Sequence, residues 1–215
     1  MRSVKEHEVR RNEILDTAEK LFLSKGYMKA TVNNILQEVG IAKGTFYHYF
    51  KSKEEVMDAI ILRIIEADVE AAKKIASDPT IPVIEKLPQI LLAQAPKDGG
   101  QKERMIEQFH KPKNAEMHQK SLVQSVLHLT PILTEVIQQG IKESVFKTAY
   151  PQETVEFLLV SAIVIFDEGM FQWEQQEALQ KAKAFITIIE TALGAKKGSF
   201  DAIGDILLQQ IQGVE

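Results

Sequence analysis

AKGTFYHYF, residues 42–50, holds four of the chain's 15 aromatic residues, two of its four tyrosines and one of its five histidines. Such density marks either buried core or a surface built to touch something, and helical spacing separates the two. Phe46 and Phe50 stand at i and i+4, on one helix face, and read as an inward anchor. Tyr49, three residues after Phe46, reads as an edge residue with its ring packed and its hydroxyl outward. Lys43, Gly44, Thr45, Tyr47 and His48 are left for the other face.

The neighbouring residues give this helix a partner. Thr31 is a good N-cap for a short helix over Val32–Val39, which Gly40 closes. Two short helices joined by a tight glycine turn outline a helix-turn-helix, whose second helix enters the major groove with its N-terminal residues toward base edges. Lys43, Gly44 and Thr45 offer a cation, bare backbone and a hydroxyl at that position, and free N–H groups at the helix start favour phosphate nearby. Before them, Ile14, Ala18, Leu21 and Phe22 form an amphipathic stripe on a supporting helix over about 8–24, ended by Gly26. Arg10 and Arg11, ahead of the stripe, read equally as phosphate contacts or as a solvated helix start.

The rest of the chain is helical in period throughout, with no strand pattern. Ser52 caps a fourth helix carried by Ile60, Ile61, Ile64, Ile65 and Val69 up to Ser77-Asp78-Pro79. Further helices are expected over 82–94, kinked or split at Pro88, over 101–110, over 116–145 with a bend at Pro131, and over 152–171 and 174–193. Pro96–Gly100 reads as a loop. Phe200, Ile203, Leu207 and Ile211 suggest a last amphipathic helix within 198–215.

Composition narrows the function. Residues 1–53 hold ten Lys/Arg against six Asp/Glu, whereas residues 54–215 hold 16 against 24, so a basic head sits on an acidic body. That asymmetry suits a polyanionic partner for one end only. With no cysteine there are no disulfides and no thiolate metal site. The start of the chain has no apolar signal region, and the longest near-apolar run, Phe157–Phe166, is about half a membrane span. A cytoplasmic protein without membrane contact is expected. His110, His118 and His128, spaced by eight and ten, do not share a helix face, and no metal site or cofactor is read from them. P-loop, G-x-G-x-x-G, G-x-S-x-G and HExxH signatures are absent, His7-Glu8 lacking the second histidine, which argues against an enzyme.

The run TVNNILQEVGIAKGTFYHYFKSKEEV, Thr31–Val56, with the preceding AEKLFLSKGYMKA, resembles the DNA-binding domain of the TetR family of bacterial transcription regulators over about residues 10–65. The resemblance implies an all-α homodimer. Residues 1–52 would be a three-helix DNA-binding domain, and 53–215 a larger helical domain for dimerisation and effector binding. It implies that Thr31, Tyr49 and Lys53 hold phosphates of a double-stranded operator, while Lys43, Gly44, Thr45, Tyr47 and His48 face bases or flanking phosphates. It makes the helices at 152–171 and 174–193 the dimer surface, consistent with the nearly all-round apolar Phe157–Ile165.

A small-molecule effector of unspecified identity would sit among Met105, Phe109, His110, Met117, His118, Asp167, Met170, Phe171 and Trp173, which mix aromatic, thioether and polar groups as pockets do. Taken singly, most of these residues read as ordinary core or surface. Asp167-Glu168 would call for a cationic partner if buried, but exposure at a helix turn is the preferred reading. The function implied is a repressor released from its operator by that effector. The alternative is a regulator of the same fold controlled by a protein partner or by abundance.

Overall fold

The helices begin and end where local chemistry satisfies the backbone. In this computed structural model, which describes residues 2–94 and 101–204, the order is α1 (Arg2–Lys25), α2 (Val32–Val39), α3 (Lys43–Tyr49), α4 (Lys53–Ser77), α5 (Val83–Gln94), α6 (Gln101–Phe109), a 3-10 turn (Pro112–Asn114), α7 (Ala115–Lys142), α8 (Pro151–Ile165) and α9 (Gln175–Leu193). Among the described residues there is no strand. The protein is therefore all-α, with an N-terminal helix-turn-helix and a larger helical part after it. The expected loop at 96–100 lies outside the described residues, as do Leu207 and Ile211 of the last expected helix. Residues 201–204 are helical.

Two compact units make up the chain, one of residues 1–65 with 97–124, the other of 66–96 with 125–215. Residues 53–65 and 101–124, which the expected division at 52 assigns to the effector domain, fall in the first unit. Its core joins the α1 stripe of Ile14, Leu15, Ala18 and Phe22 to Ile35 of α2, Phe46 of α3 and Val56, Met57, Ile60 and Ile61 of α4. Met105 and Phe109 of α6 and Met117 of α7 close the cluster. Arg63 on α4 reaches back to Asp16 and Glu19 on α1, and Lys120 on α7 bonds Asp58 on α4 at 2.6 Å.

Gly26 makes a close approach possible. Its φ is +89°, and a Cβ there would meet the Lys113 carbonyl oxygen at 3.0 Å, so the 3-10 turn docks directly on the end of α1. Lys113 Nζ completes the contact by donating to the Ser24 carbonyl at 2.6 Å.

In the second unit two expectations are corrected. The helix expected to reach residue 171 stops at Ile165. The Met170 and Phe171 amides turn back onto the Asp167 carbonyl at 3.0 and 2.9 Å, and the Trp173 indole N–H takes the Ile165 carbonyl at 2.8 Å. A side chain thus satisfies an orphan helix-end acceptor, which an apolar run cannot signal. The helix expected to reach 145 stops at Lys142, where Ser144 adopts a φ of +60° and Phe146 folds onto Gly140, a site a Cβ would overlap at 2.0 Å. Pro88 is buried inside α5, which is not split.

Lys86 on α5 is only 2% exposed. Its ammonium donates to the Ala76 carbonyl near the end of α4 at 2.6 Å and to Gln139 Oε1 of α7 at 2.9 Å. The negative end of the α4 dipole and its unmatched carbonyls are what make a buried lysine tolerable there. Lys86→Met keeps most of the volume but strands both acceptors. It is expected to lower stability by about 1–3 kcal/mol, read as a fall in the urea midpoint at unchanged slope.

Candidate nucleic-acid interface

A helix of seven residues has too few internal hydrogen bonds to persist alone, so α3 takes its position from tertiary contacts. Phe46 is fully buried and Phe50 is 2% exposed, their rings 6.1 Å apart, both within the first unit's core. Arg11 of α1 covers the Phe50 ring at 5.3 Å from its centroid. Held by this face, α3 turns Lys43, Gly44, Thr45, Tyr47 and His48 outward, all exposed, with Tyr47 at 47%. Nothing lies within 4 Å of where a Cβ of Gly44 would stand, so the backbone there is open to close approach. Lys43 Nζ lies 5.9 Å from the Tyr47 ring one turn on.

The supporting helix is set by its caps. Thr31 Oγ1 accepts from the Asn34 amide at 3.2 Å, and Asn34 Oδ1 accepts from the Thr31 amide at 3.1 Å. This reciprocal box leaves the Thr31 hydroxyl hydrogen for an outside acceptor. Gly40, at φ +74°, ends α2 and returns its N–H to the Leu36 carbonyl. Ala42 then starts α3 without a side-chain cap. The first N–H groups of α3 are therefore not met by a capping side chain.

Lys53 has a second role that its sequence position does not reveal. Its ammonium donates to the Tyr27 carbonyl at 2.9 Å and the Ala30 carbonyl at 3.1 Å, and lies 4.0 Å from the Tyr27 ring centroid. It fastens the α1–α2 loop to the start of α4. The Tyr27 phenol donates to Glu54 Oε1 at 3.1 Å. Burial, with the Glu54 carboxylate beside it, pushes that phenol well above the ordinary tyrosine range. Glu54 is held below the usual carboxylate range, first by its own backbone N–H and then by the Ser52 hydroxyl. Arg10 is paired with Glu13 at 2.6 Å on the same exposed helix face.

Reading from the sequence missed His7. The helix α1 starts at Arg2, six residues before the expected start, and this brings the His7 ring 4.5 Å from Tyr49 and 5.6 Å from His48, centroid to centroid. Tyr49 is half-buried, as an edge residue should be.

The residues expected to line an effector site fall in both units. Met105, Phe109 and Met117 are core of the first, at 8%, 5% and 0% exposure. His118, also buried, stacks on Phe109 at 6.4 Å, and the His110 ring lies 5.2 Å from it. The imidazoles meet although their spacing does not suit one helix, because α6 ends at Phe109 and the chain reverses before α7. In the second unit Phe171 stacks on Trp173 at 5.0 Å and 7°, with Lys181 Nζ 3.6 Å from the Trp173 ring. Asp167 is partly buried, and Met170 and Phe171 are exposed.

Known proteins give this geometry a context. Residues 14–60 match the family model described as bacterial regulatory proteins, tetR family, and residues 99–188 match the tetracyclin repressor-like C-terminal domain. An HTH-type transcriptional regulator of Bacillus subtilis, YhgD, is 27% identical over 181 residues, covering 78% of this chain and 85% of that protein. The transcriptional repressor KstR2 of Rhodococcus jostii is 44% identical over 52 residues, 24% of this chain and 26% of its own. Among solved structures, SmeT, the repressor of the Stenotrophomonas maltophilia multidrug efflux pump SmeDEF, superposes with a TM-score of 0.56 at 17% identity, over 88% of this chain and 92% of its own. A TetR/AcrR-family regulator of Thermobifida fusca gives 0.53 at 20% identity, over 96% and 98%.

The Lys53 fastening has a measurable consequence. Lys53→Met removes two charge-assisted bonds and a cation–π contact, and is expected to cost about 2–4 kcal/mol. Thermal unfolding followed through the tyrosines of the first unit would show it.

Proposed function

The chain belongs to the tetR family of bacterial regulatory proteins and is a DNA-binding transcription regulator, and we propose that it acts as a homodimeric repressor released from its operator by a small molecule. The observation that carries the reading is the two-faced α3, buried through Phe46 and Phe50 and exposed through Lys43, Gly44, Thr45, Tyr47 and His48. In this proposal those exposed residues read bases or flanking phosphates in the major groove, and Thr31 and Tyr49 hold phosphates. Lys53, with two carbonyls already on its ammonium, adds positive field near the backbone and one further N–H. Two copies would set two such helices in successive grooves of a near-palindromic site.

Dimerisation is supported by α8 and α9. Phe157, Val160 and Ile188 are 76%, 44% and 55% exposed on helices that are otherwise rich in apolar residues. Uncovered apolar surface of this kind calls for a partner, and a second copy of the chain is the partner proposed. No helix among the described residues is long and apolar enough to cross a membrane, and the protein is proposed to work in the cytoplasm.

The effector would be a small molecule taken up by the helices that follow the helix-turn-helix. It can shift operator affinity only by as much as it prefers the released state. KstR2 and SmeT, repressors by name, lend the sign of regulation.

Lys43→Ala and Tyr47→Ala are each expected to weaken binding to a selected operator by about 1–3 kcal/mol, and unchanged affinity in both titrations would remove α3 from the interface. Phe157→Glu is expected to convert the dimer to monomer at micromolar concentration by sedimentation. Because two half-sites then no longer bind as one, operator affinity should fall by at least about 100-fold.

A further inference from the structure

We infer that His7 is a positioning residue for operator recognition, its imidazole holding the Tyr49 and His48 rings at the C-terminal end of α3. The inference rests on α3 being the recognition helix. Phe46 and Phe50 anchor the inner face of that helix, Phe46 meets the Tyr47 ring edge-on at 5.4 Å, and Tyr49 packs against the core on one side, which leaves its outer side and the His48 ring. Tyr49 is the last residue of α3 and half-exposed, and His48 is exposed beside it. The two rings also meet each other, edge-on at 5.2 Å.

A further contact comes from α1. The His7 ring lies tilted by 42° against Tyr49 at 4.5 Å and edge-on to His48 at 5.6 Å. Both are within the range of attractive ring–ring contact. The contact lies on the part of α1 ahead of its apolar stripe. Terminal helical turns fray unless something tertiary holds them, and ahead of the stripe His7 and Arg11 are described residues with ring contacts to the region of α3. A phosphate-holding tyrosine and its neighbour are thus partly ordered before DNA arrives. Less side-chain freedom is then lost on binding.

The experiment uses full-length dimer and a duplex operator recovered by selection from a random pool. Binding is measured for wild type, His7→Ala, His7→Phe, Tyr49→Ala/His48→Ala, and the last combined with His7→Ala, at two salt concentrations and against a random duplex. His7→Ala is expected to weaken operator binding by about three- to tenfold, the scale of one side chain's immobilisation. Thermal midpoint and random-duplex binding should be unchanged. His7→Phe should restore affinity, since a ring rather than a charge is what the role requires. In the Tyr49→Ala/His48→Ala background His7→Ala should add nothing. Wild-type affinity in His7→Ala would overturn the inference. So would an undiminished effect in that background with a salt slope shallower by about one, which would make His7 a phosphate contact itself. If Lys43→Ala and Tyr47→Ala are also silent, the reading of α3 has failed. If they weaken binding and His7→Ala does not, only the positioning role falls.

Discussion

The first unit depends on the burial of Phe46 and Phe50. A two-turn helix cannot supply its own stability, yet a recognition element must keep one face uncovered. Only the inner face is left to hold it, and two phenylalanines each burying fully contribute about 1.5–3 kcal/mol apiece. The core that receives them comes from α1, α2, α4 and the α6–α7 segment. Anything that loosens that core loosens the aim of the exposed face, because the same eight residues, 43–50, carry both.

Three cations show a second principle. Lys53, Lys86 and Lys113 each place an ammonium on a backbone carbonyl at or near a helix end. Lys86 and Lys113 sit on last-turn carbonyls that have no partner within their own helix, Lys53 on two carbonyls of the α1–α2 loop, and Lys86 does so in near-complete burial. The lysines act as fasteners between elements, so the basic character of a segment overstates the charge it offers to an outside anion. In residues 1–53 the ammonium of Lys53 is already shared with the protein.

The helix-turn-helix was legible because its signals are local. A threonine cap, a glycine closing α2 and an i, i+4 pair of phenylalanines are all read within twenty residues, and α2 and α3 have the bounds that those signals imply. What was not legible depends on contacts between distant residues. Nothing near residue 165 announces that Trp173 will cap a carbonyl there and end α8, and nothing near Gly140 announces Phe146. His7 is not signalled because the apolar stripe that marks α1 begins at Ile14, while the rings His7 meets lie on α3. Met105, Phe109 and Met117 read as pocket residues by chemical type, since the same types serve a core. Their place beside the α1 stripe follows from the reversal at residues 110–114.

The stack at the end of α8 gives the molecule its own optical labels. Trp173 is the chain's single tryptophan, and it lies against Phe171 under the Lys181 ammonium in the second unit. Tyr27, Tyr47 and Tyr49, three of the four tyrosines, lie in the first. Indole emission excited at the red edge therefore reports on one unit, and phenol absorbance is weighted to the other. A cation held over the indole also makes that emission sensitive to any loss of the stack.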